Sequence, residues 1–167
     1  MKKYKFTGET KTIYLPFGTV TLHRIKAVVE FGLVKVGDLG GWIEKEENLS
    51  HEENAWVYGN AKVCGNAKVY GDAEVCGNAW VCGNAKVFST DHVLVIGAIG
   101  SRNDFTTFFR DKDNEITVKC GCFLGKIDKF LEKVTQTHKD TKHTLAYRTA
   151  VEVAKLQIDL TEKSTRR

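Results

Sequence analysis

At 167 residues, with 42% hydrophobic and 28% charged side chains, the chain suits one compact unit or two small ones and can build a core. A net charge of +4 spread over this length is too small a surplus to mark a nucleic-acid binder. No apolar run is long enough for a membrane-spanning helix, and no signal-peptide-like segment stands out. Five cysteines, an odd number with three in a repeated position, fit a reducing compartment, so a cytoplasmic protein is expected.

Residues 3–29, KYKFTGETKTIYLPFGTVTLHRIKAVV, alternate apolar and polar on both sides of Pro16-Phe17-Gly18. That is the pattern of a β-hairpin around a tight turn. As an N-terminal β cap over residues 1–36, it would cover the open strand edge of whatever follows. Residues 37–53, GDLGGWIEKEENLSHEE, read as an irregular first coil with an acidic run from Glu44 to Glu53. Counting back in sixes from the repeats below puts Leu49, Ile43 and Gly37 on the inward row of the alanines. The inward row of the valines decays to His51, Lys45 and Leu39. Glycines 37, 40 and 41 match no nucleotide-binding fingerprint and read as a sharp turn.

Residues 54–89 then repeat without insertion: NAWVYG NAKVCG NAKVYG DAEVCG NAWVCG NAKVFS. Period six fits neither an isolated helix nor a lone strand, and a fixed period takes precedence over both. Each hexapeptide holds a short extended side and a corner, so three close one triangular coil of 18 residues. Successive coils pair as parallel strands about 4.8 Å apart. Val supplies the inward branched group, Ala fits the narrow interior, and Gly tolerates the corner where φ turns positive. Residues 18 apart should stack: Asn60 over Asn78, Asn66 over Asn84, Tyr70 over Phe88, and Cys64 over Cys82 as free thiols.

Residues 92–99, HVLVIGAI, should form a buried strand leaving the coil, which spans 37–100. DFTTFFRDKDNEITVKCGCF alternates around Asp111–Asn114 as a second hairpin. From Lys126 the period becomes helical through Ile127, Phe130, Leu131 and Val134, and a second amphipathic stretch runs from about Thr141 to Leu160. Asp140 or Thr141 is the candidate N-cap. Residues 101–160 therefore form a C-terminal α+β cap, and 161–167 a frayed tail. The fold expected is mainly β: a short parallel β-helix between two caps.

The repeat [ND]-A-x-V-[YCF]-[GS] resembles the hexapeptide-repeat family, a resemblance that implies a left-handed β-helix and a homotrimer. GDLGGWIEKEENLSHEENAWVYGNAKV and VKCGCFLGKIDKFLEKVTQTHKD are similar to segments of uncharacterised proteins encoded by phages and prophages. That similarity implies a small accessory protein acting in the cytoplasm of a bacterial host, with no catalytic residues to carry over.

Members of the hexapeptide-repeat family include acyltransferases that hold acetyl-CoA between subunits and use a His as general base. His92, where the coil ends, is the best candidate for that role here, and His51 lies in the first coil. The coils number fewer than such enzymes carry, and no loop interrupts 54–89. Others hold a metal between subunits through several His, a set this chain does not reproduce. Cys120-x-Cys122 with His138-x4-His143 has a donor set suited to zinc, though the spacing is tight; buried Cys and solvated His are the plainer reading. Trp56, Tyr58, Lys62, Lys68, Trp80 and Lys86 should project from flat β faces as a binding or subunit interface. Between Lys126 and Arg148 six Lys/Arg oppose three acids, the wet side of two helices.

The reading is a non-enzymatic phage or prophage accessory binding protein without cofactor. Its partner would be a host immune component or a nucleotide signal. Acyl transfer from acyl-CoA and a structural virion or scaffold role are the alternatives.

Overall fold

A long hairpin opens the chain in the computed structural model, which describes residues 1–161. β1 (Tyr4–Leu15) and β2 (Gly18–Ala27) pair antiparallel from Tyr4↔Ala27 to Leu15↔Gly18, turning on Pro16 and Phe17. Proline presets φ for a turn position and has no N–H to offer a ladder, so the strands part there. β3 (Leu39–Ile43) adds antiparallel to β2. The hairpin is thus more than a lid. It extends one wall of the coil into a five-stranded sheet.

Each hexapeptide contributes a two-residue strand: β4 (Trp56–Val57), β5 (Lys62–Val63), β6 (Lys68–Val69), β7 (Glu74–Val75), β8 (Trp80–Val81) and β9 (Lys86–Val87). Pairing is parallel between residues 18 apart: Val57↔Val75, Val63↔Val81 and Val69↔Val87. Three ladders make three walls of a β-helix-like stack. All six repeat valines are at most 1% exposed and all six alanines at most 2%. The small Ala row is what lets three walls converge, and each buried Val contributes on the order of 1.5–3 kcal/mol. Corner glycines 59, 65, 71, 77 and 83 all have φ between 55° and 66°. Tyr70 lies over Phe88 with ring centroids 5.2 Å apart, as the period predicts.

The first coil departs from the six-residue count. Ile43 pairs with Val63, and Leu49 bridges Val69, each twenty residues apart rather than eighteen. Ile43 and Leu49 therefore stand in the valine row, not the alanine row. The corner between Leu49 and Ala55 holds two extra residues, and counting in sixes crosses that insertion unaware. Asn48, buried, organises the coil: its Oδ1 accepts from Glu44 N and Lys45 N, and its Nδ2 donates to Gly65 O and Ala67 O. Gly37, at φ 94°, makes the turn. Gly40 and Gly41 serve close packing instead. A Cβ on Gly41 would lie 2.7 Å from both Ala61 O and Val57 Cγ1.

The open N-terminal end is closed by polar groups as well as apolar ones. Lys3, 3% exposed, donates from Nζ to Glu52 O, Glu53 O and Ala55 O at 3.3, 3.1 and 2.7 Å. Its ammonium sits 4.5 Å above the Phe31 ring. Burial lowers its pKa from the ordinary 10.5 to about 8. The Tyr4 hydroxyl donates to Leu49 O at 2.6 Å.

At the other end, β10 (Val93–Ile99), β11 (Asp104–Arg110), β12 (Ile116–Cys120) and β13 (Phe123–Lys126) form an antiparallel meander. The expected single hairpin is its centre, and residues 93–99 are a half-buried strand of this sheet rather than a fully buried one. α1 (Ile127–His138) and α2 (Lys142–Gln157) cover one face, where Phe108, Val118, Phe130 and Val151 are buried. Phe109, on the opposite face, plugs the last coil. Lys112 N donates to Asn84 O and Ala85 bridges Asp111, which sews cap to coil. Thr141 is the N-cap of α2, without a side-chain bond to the helix. Most of the expected tail, residues 162–167, lies outside the described residues. Among the described residues no helix is long and apolar enough to cross a membrane.

Candidate functional site

Of the six side chains expected at an interface, the coil puts two on each wall. Trp56 and Tyr58 belong to the β4–β7 wall, Lys62 and Trp80 to β5–β8, and Lys68 and Lys86 to β6–β9. Trp56 does not project outward. It is 1% exposed, edge-on to Tyr4 and Phe31 at 6.2 and 5.2 Å, because the N-terminal cap folds over its wall. Tyr58 is half-buried, and burial raises its pKa. Lys68 and Lys86 are exposed neighbours of like charge on their own wall.

The β3–β5–β8 wall carries the densest chemistry. In-register pairing stacks Trp42, Lys62 and Trp80 in one column. Lys11 from β1 sits 4.2 Å above the Trp42 ring, with Arg24 from β2 at 5.5 Å. Lys62 and Lys119, the latter from β12, lie 5.4 and 3.8 Å from the Trp80 ring. Cations over indole faces are mutually favourable. The face is nonetheless rich in uncompensated charge: among the described residues Lys11, Lys62 and Lys119 have no carboxylate within salt-bridge reach. Nearby acids are occupied or more distant. Glu9 faces Arg24 at 3.8 Å, Glu44 accepts from Gly65 N at 2.7 Å, and Asp104 acts on Lys62 from farther off. Burial first, and then the Lys11 charge, lowers the pKa of Lys62; burial also lowers that of Lys119. Lys119 donates to Gly121 O.

Two spare donors accompany these cations. Trp42 is 5% exposed and its buried Nε1 has no partner among the described residues. The Trp80 Nε1 is likewise buried without an oxygen or nitrogen acceptor and faces the Cys64 sulfur, a weak one. Behind the column, the Cys82 thiol donates to Cys64, which draws the Cys64 pKa down and pushes that of Cys82 up. Both cysteines are free and fully buried. Sequence reasoning found Lys62 and Trp80 through the period. It missed Trp42 because the first coil is out of step, and Lys11 and Lys119 because they arrive from the caps.

His92 is 2% exposed at the joint of coil and cap. Its Nδ1 accepts from Phe88 N at 3.1 Å, its Nε2 is 3.0 Å from an Arg110 nitrogen, and its ring stands edge-on to Phe88. Both ring nitrogens are turned onto the protein. His51 stacks on Tyr4 at 4.1 Å, accepts from Lys3 N at Nδ1, and places Nε2 3.1 Å from Glu46.

The zinc expectation meets a different arrangement. Cys120, Cys122 and His138 line one cavity of about 150 Å³ together with Arg102, Lys133 and Tyr147. Among the described residues, however, no three His, Cys, Asp or Glu side chains come close enough to hold a metal ion. The reason lies in the helices: the His138 ring stacks on Tyr147, 5.8 Å away, and His143 packs 5.5 Å from it. Tyr147 has its pKa pushed up to about 12 by burial and then by Cys120.

No protein-family profile matches the chain. Over 62 residues it is 39% identical to a protein of Escherichia coli (strain K12) described as "Uncharacterized acetyltransferase YdcK". The match covers 35% of this chain and 19% of that protein, so the chain spans about a fifth of the relative's length.

Proposed function

We propose that the protein is a non-enzymatic binding protein, built on a left-handed β-helix, that captures a phosphate-bearing small molecule on its Trp42–Lys62–Trp80 face. One observation carries the reading. Lys11, Lys62 and Lys119 converge without a carboxylate, beside two buried indole N–H groups that lack a good acceptor. A multiply charged anion supplies the negative charge this face lacks, within reach of the half-buried Lys11 and Lys62, and charge-assisted hydrogen bonds of this kind are the strong ones. Lysines already cover the indole faces, so the phosphates, not a stacked base, provide the affinity. A nucleotide signal fits this chemistry. In the setting that the phage-like segments suggest, its capture would blunt a host immune response.

Equilibrium dialysis of the full chain against cyclic dinucleotides, nucleoside triphosphates and pyrophosphate tests the site. Binding should weaken at least tenfold in Lys119→Met and in Lys62→Ala, and fall steeply with salt. No binding at low ionic strength, or equal binding by both variants, rejects it. The immune setting is tested separately: unchanged resistance of expressing cells to a phage panel ends that part.

The 39% identity to a protein described as an acetyltransferase favours acyl transfer as a second reading. Titration with acetyl-CoA separates the two. Tight binding with turnover by the native chain would establish the enzyme; absence of both supports the binding protein. A homotrimer, also part of the proposal, is read by native mass spectrometry.

A further inference from the structure

The cap cavity adjoins the cationic wall, with Lys119 donating to Gly121 O between them, and is unused by the reading above. β12 and β13 are joined by a turn at Gly121 and Cys122, with Cys120 pairing Phe123 across it. Gly121 has φ 56°, a conformation that glycine adopts freely. The turn places Cys120 and Cys122 on one cavity wall. Turn geometry holds residues two apart at a Cα separation of about 5–6 Å, inside the window of a disulfide. Cys122 is exposed and Cys120 half-buried. The Cys120 sulfur accepts from the Thr106 hydroxyl at 3.3 Å and also meets the Tyr147 hydroxyl.

Two cations, Arg102 and Lys133, line the cavity amid apolar Phe123, Phe130 and Val134. Arg102, from the β10–β11 loop, lies with its guanidinium against Gly121, and Lys133 reaches in from α1 beside His138. Among the described residues no Asp or Glu lines this cavity. Partly exposed thiols in such electropositive surroundings are those that exchange with disulfides.

We propose that Cys120 and Cys122 form a dithiol–disulfide couple that exchanges with small carboxylate-bearing disulfides, of which oxidised glutathione is the representative. Arg102 and Lys133 take up one carboxylate-bearing arm, since the cavity is too small for the whole molecule. The Cys122 thiol loses its proton and its sulfur attacks one sulfur of the incoming disulfide. The incoming S–S bond breaks, a mixed disulfide forms on Cys122, and the first thiolate leaves with a proton. The Cys120 sulfur, its proton lost in turn, attacks the Cys122 sulfur and expels the second thiolate, which is protonated. Two electrons pass from the cysteines to the incoming disulfide. The products are one intramolecular disulfide and two small thiols.

The test uses the full reduced chain with oxidised glutathione, read by intact mass and peptide mapping. The expected product has lost two hydrogens, both from the peptide holding Cys120 and Cys122. Cys120→Ser should trap one glutathione on Cys122. Arg102→Ala with Lys133→Ala should slow exchange with oxidised glutathione at least fivefold while leaving the rate with the uncharged 2-hydroxyethyl disulfide within twofold. Three outcomes overturn the proposal: Cys120 and Cys122 remain free thiols while Cys76 is modified, the two hydrogens are lost from Cys64 and Cys82 instead, or the double variant slows both disulfides equally.

Discussion

Lys3 offers a measurement that reads the coil's N-terminal closure directly. Its ammonium is buried against three carbonyls, and its pKa of about 8 stands below the ordinary 10.5. The folded state therefore holds this proton less tightly than the unfolded chain. The resulting burden is present in full below pH 8 and lifts as pH rises toward 10.5. At 1.36 kcal/mol per unit, the whole burden is about 3 kcal/mol, and about 1.3 kcal/mol of it lifts between pH 7 and pH 9. Lys3→Met keeps the stem over Phe31 and removes the titration. Urea unfolding of both proteins at half-unit steps across that range isolates Lys3, because every other group titrates alike in the two. The stability of the native chain should gain on the variant by about 1 kcal/mol or more by pH 9. Parallel curves would refute the reasoning: Lys3 would then be solvated, and the coil end would be closed without its ammonium.

Asn48→Ala strips hydrogen bonds from four backbone groups at one corner and should cost about 2–4 kcal/mol in denaturant unfolding; a loss under 1 kcal/mol would mean that water replaces the amide. Gly41→Ala forces a methyl to within 2.7 Å of Ala61 O and Val57 Cγ1, so a loss of about 1–3 kcal/mol is expected in thermal unfolding. An unchanged midpoint would show that the first coil sits less tightly on the second. In the native protein Cys76 and Cys122 should react rapidly with a thiol reagent, while Cys64 and Cys82 wait for unfolding. Four rapid equivalents would place the Cys64–Cys82 stack at the surface.

The repeat was legible in full because each hexapeptide carries its own instructions. Val, Ala and Gly recur where the inward side, the narrow interior and the positive-φ corner need them, so counting alone pairs Val63 with Val81. The two hairpin turns and both helices were legible for the same local reason. The first coil was not, because Ile43 and Leu49 keep an inward place only through a longer corner that period arithmetic cannot see. Trp56 misled for a related reason: its hexapeptide position is outward, yet a cap contributed by distant residues buries it.

The candidate site follows the same division. Lys62 and Trp80 could be stacked from spacing, and Cys120 and Cys122 stand close in any fold. Lys11 and Lys119 come from the two different caps, Arg102 and Lys133 from different elements of the second cap, and no local pattern links them. The sequence by itself determined the period and the inward rows of the six regular repeats, since those are set by the steric needs of neighbouring residues. Only the tertiary structure decided which charges meet without a counter-ion and which indole N–H groups lack an oxygen or nitrogen acceptor. Electrostatic and hydrogen-bond balance belongs to groups brought together from afar, and it exists only once the caps have closed on the walls.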